Sequence, residues 1–470
     1  MENTAVVTLV VAVLIGLLLV GVSVAISLAT SGILGLLLLD GAGIASSVIA
    51  GTSYSAVAKG SLIVVPMFVL MGMLTLYSGI AEQLFAIASR VLRRIPGSLG
   101  MATVFASAGF GAISGSSLAT VATLGRTCIT EMMRHGYQRA FASATVAASG
   151  TLAVLIPPSI ILVLYGVITG ESIGALLIAG IVPGILSALM LAGMIGLRTW
   201  RAPSLVNQDN AEELRLALSG GGSETPHMAG GGTSADAPAS DDVGVRLTFP
   251  SVSRALLGVV VLFGIVIGGI YSGVFTPTES AAIGAFAAFV LICAQYATRP
   301  AKLRANLVTA LKETASLNSM IFLILVGAGI FSFFLVSAGV PTALSELVVG
   351  LALPPSLTVI LLLVVLVPGG MFLDSISLLV ITVPLVYQPI MDLGFDGIWL
   401  GILVVKLIEL GMITPPVGMN AYVAAGTTPG LEVEEVFKGL LPFYFADVAV
   451  VAVIFLVPGI ATWLPGLSAA

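Results

Sequence analysis

Apolar residues run along this chain in blocks about as long as a bilayer is thick, and two of the blocks carry matched interruptions. About 20 consecutive apolar residues cross the hydrocarbon core as a helix. On that measure spanning helices are predicted near 5–27, 57–79, 140–168, 173–198, 254–272, 278–297, 313–338, 397–424 and 441–463. Segments 97–125 and 355–390 are as apolar but break midway. The first break reads Gly111-Ala-Ile-Ser114-Gly-Ser-Ser117 and precedes Pro157-Pro158; the second reads Gly369-Gly-Met-Phe-Leu-Asp374-Ser375 and precedes Pro415-Pro416. Ser116 to Pro157 and Asp374 to Pro415 are both 41 residues. A break frees backbone groups that lipid cannot satisfy, so it survives only where it is buried or lines a cavity. Its recurrence in both halves points to a transport site between two repeats.

Basic residues fix how the interrupted segments lie. Arg90, Arg93 and Arg94 precede 97–125, and Arg126, Arg134 and Arg139 follow it. A single crossing would strand one cluster outside, against the positive-inside rule. A re-entrant hairpin with its tip at Ser114–Ser117 keeps both inside. Segment 355–390 has only Glu346, Asp392 and Asp396 nearby, which suits a hairpin entering from the other side with its tip near Asp374. Opposed hairpins are the signature of an inverted repeat. The division expected is 1–56 scaffold helices, 57–198 first repeat, 199–253 cytoplasmic linker, 254–312 scaffold helices and a cytoplasmic loop, 313–463 second repeat and 464–470 tail.

Composition agrees with the pattern. The chain is 58% hydrophobic and 9% charged, with mean hydropathy +1.15, against about a quarter charged in soluble domains. The fold class is therefore an all-α polytopic membrane protein. The N-terminal block has no basic n-region and is longer than a signal-peptide h-region, so it reads as a retained span. The linker's Ser219–Ser223 and Ala229–Ser234 stretches are glycine-rich and read as a flexible tether. A net charge of −5 over so long a chain says little, and nothing resembles a basic nucleic-acid-binding face. Cys128 and Cys293 are isolated and read as packing residues. His135 and His227 lie far apart, and no zinc or phosphate-loop motif is present, which disfavours catalysis and direct ATP coupling.

The chemistry lies at the breaks. Hard cations such as sodium take oxygen ligands, which unwound carbonyls and hydroxyls supply; half-helix N-termini suit a carboxylate. A first sodium site is expected from Ser114, Ser116 and Ser117 with Gly150, Thr151 and Pro157. A second is expected from Asp374 and Ser375 with Thr414, Pro415 and Gly418, and Ser159 and Asn420 are expected at the substrate. The same residues also fit a plainer role, capping buried helix ends. Asp374, an intramembrane carboxylate, is either an ion ligand or an N-cap. Lys406 and Glu409, three apart on one helix face, are expected to pair. Thr276-Pro-Thr-Glu279 is a capping box, and Asp40 and Glu171 read as turn residues.

These stretches resemble the large membrane subunit of tripartite ATP-independent periplasmic (TRAP) transporters. The resemblance rests on Ser114-Gly-Ser-Ser-Leu-Ala-Thr-Val-Ala-Thr-Leu-Gly125, Leu155-Ile-Pro-Pro-Ser-Ile160, and Glu171-Ser-Ile-Gly-Ala-Leu-Leu-Ile-Ala-Gly-Ile-Val-Pro-Gly184. It continues through Thr276-Pro-Thr-Glu-Ser-Ala-Ala282, Met371-Phe-Leu-Asp-Ser375 and Glu409-Leu-Gly-Met-Ile-Thr-Pro-Pro-Val-Gly-Met-Asn420. It implies sodium-driven import of organic acids, C4-dicarboxylates or sugar acids, by an elevator motion in the bacterial inner membrane. It also implies two partners, a small four-helix membrane subunit and a periplasmic substrate-binding protein, and no cofactor beyond the coupling ion. The alternative on the same plan is a stand-alone sodium- or proton-coupled dicarboxylate carrier.

Overall fold

The computed structural model describes residues 3–207, 258–350, 353–428 and 430–468. Among them the structure is helical, the one β feature being a bridge between Tyr137 and Val206. The chain opens with α1 (Asn3–Leu19), α2 (Val24–Leu39) and α3 (Gly41–Ser55), then α4 (Val64–Leu76) and the amphipathic α5 (Ile80–Leu92). A hairpin follows. Its first arm, α6 (Ser98–Ser114), turns at Gly115–Ser116 into α7 (Ser117–Leu124), which runs through a π turn at Gly125–Ile129 into α8 (Thr130–Arg134). A broken helix comes next: α9 (Arg139–Gly150) and α10 (Leu152–Leu155), then α11 (Ile160–Thr169) bent by 42° from them. The first half closes with α12 (Ile173–Ala179) and α13 (Ile181–Arg201).

The second half repeats the plan. It begins with α14 (Gly258–Tyr271), α15 (Pro277–Gln295), α16 (Pro300–Ser337) and the short α17 (Val340–Gly350). Its hairpin runs from α18 (Pro355–Val364) and α19 (Leu366–Phe372) through Leu373–Asp374 into α20 (Ser375–Asp392). Its broken helix is α21 (Gly397–Met412) and α22 (Met419–Gly426), followed by α23 (Val433–Leu456) and α24 (Gly459–Ser468). Six helices among the described residues are long and apolar enough to cross a membrane, or eight if each of two bent pairs is one span.

Two bodies of packing emerge. Helices α2, α3, α4, α15 and α16 pack on one another, with α1 against α2. The hairpins, the broken helices, α13 and α23 form the other, where α9 lies against α6, α22 and α23. Helices α4 and α16 bridge the two, α4 touching α6 and α11, and α16 touching α20. Small residues set the closest seams, because lipid offers no hydrophobic drive between helices and close backbone approach must supply the attraction. An added Cβ on Gly32 would lie 2.8 Å from the Phe331 backbone. The outer surface keeps large apolar side chains such as Phe286, Leu323 and Phe445 exposed.

Several predicted boundaries are corrected. The span expected at 5–27 is two helices, separated at Val20–Ser23. Helix α3 forms from a glycine- and serine-rich stretch with too little hydropathy to register as a span, and the span expected from residue 57 becomes helical at Gly60. The first hairpin does not end at 125; its second arm continues to Arg134, making the arms of both hairpins nearly equal in length. The loop expected before residue 313 is the first third of α16. Its charged residues interrupt hydropathy without interrupting the helix, and Tyr77 anchors it by donating to Glu313 Oε1 (2.6 Å) and accepting from Asn306 Nδ2 (3.0 Å). The tail expected from 464 is helical to Ser468. The linker expected at 199–253 lies outside the described residues beyond Asn207.

Candidate functional site

Each hairpin tip meets the broken helix of its own half. At the first tip Gly115 has positive φ and lies against Pro158 O and Ile160 N, so tightly that a Cβ would sit 3.0 Å from the former. Gly150 packs on Val121 and Ser117 of the second arm. At the second tip the Gly418 N–H donates to Met371 O at 3.2 Å. The same closeness continues down the arms. Gly111 lies against the Ala153 backbone, and an added Cβ on Gly370 would lie 2.7 Å from Ile408 O and 3.0 Å from Gly411 Cα. Both breaks contain a cis prolyl bond, Pro157–Pro158 and Pro415–Pro416.

Serines and an aspartate start the half-helices. Ser116 accepts from Ala119 N (3.3 Å) and caps α7; Ser159 accepts from Leu162 N (3.2 Å) and caps α11. Ser114 and Thr120 hydroxyls bond across the first tip at 3.1 Å. Asp374 caps α20, its Oδ1 accepting from Ile376 N (3.1 Å) and Ser377 N (3.0 Å) and its Oδ2 from the Ser377 hydroxyl. Thr151 and Thr414 donate back into their own helices, to Ala148 O (2.7 Å) and Leu410 O (2.5 Å). Capping is therefore present at both hairpin tips and at the first proline break, while α22 starts at Gly418 with no side-chain cap.

The two halves join at one carboxylate. Glu409, 1% exposed on α21, receives the Ser375 hydroxyl at 2.8 Å and the Ser117 hydroxyl at 3.3 Å on the same oxygen, Oε1. Its Oε2 is buried with no partner among the described residues. Ser117 and Ser375 are the first residues of the two second arms. They are also equivalent: Ser117 to Ser375, Ser116 to Asp374 and Pro157 to Pro415 are all 258 residues apart. The same offset sets Glu409 against Thr151.

The expected Lys406–Glu409 pair is not formed. Lys406 Nζ instead bonds Asp447 Oδ1 of α23 at 2.7 Å, with side chains 1% and 0% exposed. Sequence spacing favoured a partner one turn away; the tertiary fold brings a better one from the neighbouring helix. Asp447 and the bridging role of Glu409 were thus missed, and the one sequence signal for the latter was the equal placement of Ser117 and Ser375. Ser159 and Asn420 are both fully buried, but each is engaged separately, Asn420 Nδ2 donating to Ala147 O at 3.4 Å while its Oδ1 has no partner among the described residues. The Thr276–Glu279 capping box is present as expected. Glu171, expected only as a turn residue, accepts from the Tyr387 hydroxyl at 2.7 Å and so ties α12's approach to the second hairpin.

The chain matches the family model described as tripartite ATP-independent periplasmic transporter, DctM component, over residues 11–460. It is 32% identical to the C4-dicarboxylate TRAP transporter large permease protein DctM of Vibrio cholerae, over 96% of each chain. It is 31% identical to the ectoine TRAP transporter large permease protein TeaC of Halomonas elongata, over 98% of this chain and 99% of that one. Among solved structures, the YdaH transporter of Alcanivorax borkumensis aligns with a TM-score of 0.54 over 89% of each chain, at 17% identity, a likeness of fold alone.

Proposed function

The chain belongs to the tripartite ATP-independent periplasmic transporters as a DctM component, and on that footing we propose that it carries organic acids inward together with sodium. The observation that carries the reading is the meeting of both hairpin tips on Glu409, beside two helix breaks that hold unwound backbone. Tips and breaks offer hydroxyls and carbonyls to a hard cation and half-helix N-termini to a carboxylate. Ser114, Ser116, Ser117, Gly150, Thr151 and Pro157 surround the first proposed sodium site; Asp374, Ser375, Thr414, Pro415 and Gly418 surround the second. Ser159 and Asn420 remain the proposed substrate contacts. The hairpins are taken as re-entrant, and the body that carries them slides against α1–α4, α15 and α16 in an elevator motion.

The family's tripartite name supports a small membrane subunit and a periplasmic binding protein as partners, and the inner membrane of a bacterium as the location. The substrate class is left broad. Relatives named for a C4-dicarboxylate and for ectoine match this chain at 32% and 31% identity, so overall similarity does not separate them; both molecules bear a carboxylate.

Thermal unfolding of the purified chain, titrated with sodium or choline at constant ionic strength, tests the coupling ion. A ligand selective for the folded state adds about 2.7 kcal/mol at a hundred times its dissociation constant. Saturable, sodium-selective stabilisation lost in Ser116→Ala is expected. Equal responses to sodium and choline would overturn sodium coupling.

A further inference from the structure

Away from the hairpins, a cavity of about 370 Å³ opens where α9 begins, α13 ends and α23 begins. Arg139, Arg198 and Lys438 line it with one carboxylate, Glu435. None of the three cations is in an ion pair among the described residues. Arg198 is held in place from below, its guanidinium lying 5.2 Å over the Phe141 ring. Arg139 is held from the side, Nη2 donating to Gly430 O. Each then keeps one nitrogen buried with no acceptor, Arg198 Nη1 and Arg139 Nε.

A buried donor left without an acceptor costs about 1–3 kcal/mol. Arg139 and Arg198 line the cavity together with Lys438 and a single carboxylate, so an excess of positive charge faces one opening. Guanidinium groups match oxyanions with several acceptor oxygens, phosphate above all. The positive end of α9 points the same way.

The surroundings suit an amphiphile. Leu197 on α13 and Leu441 and Phe445 on α23 are 46%, 60% and 63% exposed, and Trp200, 71% exposed, ends α13 beside Arg198 and Arg201. Tryptophan and arginine at the end of an apolar helix mark the membrane–water boundary, and basic pockets between helices at that level hold lipid head groups. We propose that this pocket binds a phosphate group, that of an anionic phospholipid or free phosphate, through Arg139, Arg198 and Lys438. Arg139 and Arg198 come from the first half and Lys438 from the second, so the bound phosphate links the two.

The test is thermal unfolding of the purified, delipidated full chain in detergent. Probes are short-chain phosphatidylglycerol, phosphatidylcholine of the same chain length, and inorganic phosphate at constant ionic strength. Phosphatidylglycerol is expected to stabilise saturably where phosphatidylcholine does not. Lys438→Gln and Arg198→Gln are each expected to weaken its apparent affinity about fivefold. Stabilisation by inorganic phosphate, lost in the same variants, would assign the site to free phosphate; stabilisation by phosphatidylglycerol alone would assign it to lipid. The proposal is overturned if neither probe stabilises, or if the variants respond as the parent does. Lys438 is exposed at the rim, so Lys438→Gln keeps the test decisive should Arg198→Gln fail to fold.

Discussion

Asp447→Asn removes the charge that faces Lys406 Nζ at 2.7 Å, where both side chains are essentially inaccessible. Deleting one partner of a buried pair leaves the other uncompensated, at a cost of about 3–5 kcal/mol. Replacing both, Lys406→Met with Asp447→Leu, removes both desolvation penalties and is expected to lie between neutral and about 1–4 kcal/mol more stable. The assay is denaturant unfolding in detergent followed by tryptophan emission. Trp399 reports the right place: it is 1% exposed on α21 and its indole donates to Ile454 O of α23 at 2.9 Å, so it spans the seam that the ion pair spans. Contacting residues couple by about 0.5–3 kcal/mol in double-mutant cycles. The Lys406–Asp447 cycle is expected near the top of that range and the Lys406–Glu409 cycle near the bottom, because Glu409 is engaged by the two serines. A larger coupling for Lys406–Glu409, or a loss below about 1 kcal/mol for Asp447→Asn, would refute the assignment and restore the pairing that spacing along one helix suggests.

Four further outcomes are expected. Gly370→Val forces a side chain into the Ile408–Gly411 backbone, costing about 1–3 kcal/mol or more, read as a lower midpoint in heated size-exclusion runs. Ser375→Ala and Ser117→Ala each remove a hydrogen bond to the buried Glu409 Oε1, about 1–3 kcal/mol; in the same unfolding assay the 2.8 Å donor, Ser375, is expected to matter more than the 3.3 Å one. Thr276→Ala unmakes the α15 cap at about 1 kcal/mol and leaves sodium-dependent stabilisation intact. Burial raises the pKa of Glu82, on α5 outside the spanning helices, above its ordinary value. The folded state therefore holds its proton more tightly than the unfolded one, and this contribution to stability is lost as pH rises from the acid range. Glu82→Gln is expected to stabilise the chain in neutral buffer and to flatten that dependence in midpoints measured at acidic and neutral pH.

What could be read from the sequence was periodic or local. The two breaks and their double prolines announced themselves by position, and the Thr276–Glu279 box by its four residues. Helix α3 was missed because Gly41, Gly43, Gly51 and the serines between them dilute hydropathy, although the neighbours α2 and α16 supply the packing that holds the helix. The start of α16 was missed because Lys302, Arg304 and Lys312 look like a loop to any hydropathy measure. At the site, the elements were legible and their connections were not. Ser117 and Glu409 are 292 residues apart; the equal placement of Ser117 and Ser375 marks the serines as a pair but not the acid whose oxygen they share. Asp447 was overlooked because Lys406 already had an acid one turn away.

The lone acid between two equivalent serines makes the two halves unequal partners. Two identical copies assembled side by side would present either two acids or two threonines at positions 151 and 409. One polypeptide can carry different residues at the two positions, so that Thr151 is neutral while Glu409 serves both arms. Each half is thus incomplete by itself: the first alone would leave Ser117 without this acceptor, and the second alone would leave Glu409 with one serine donor in place of two.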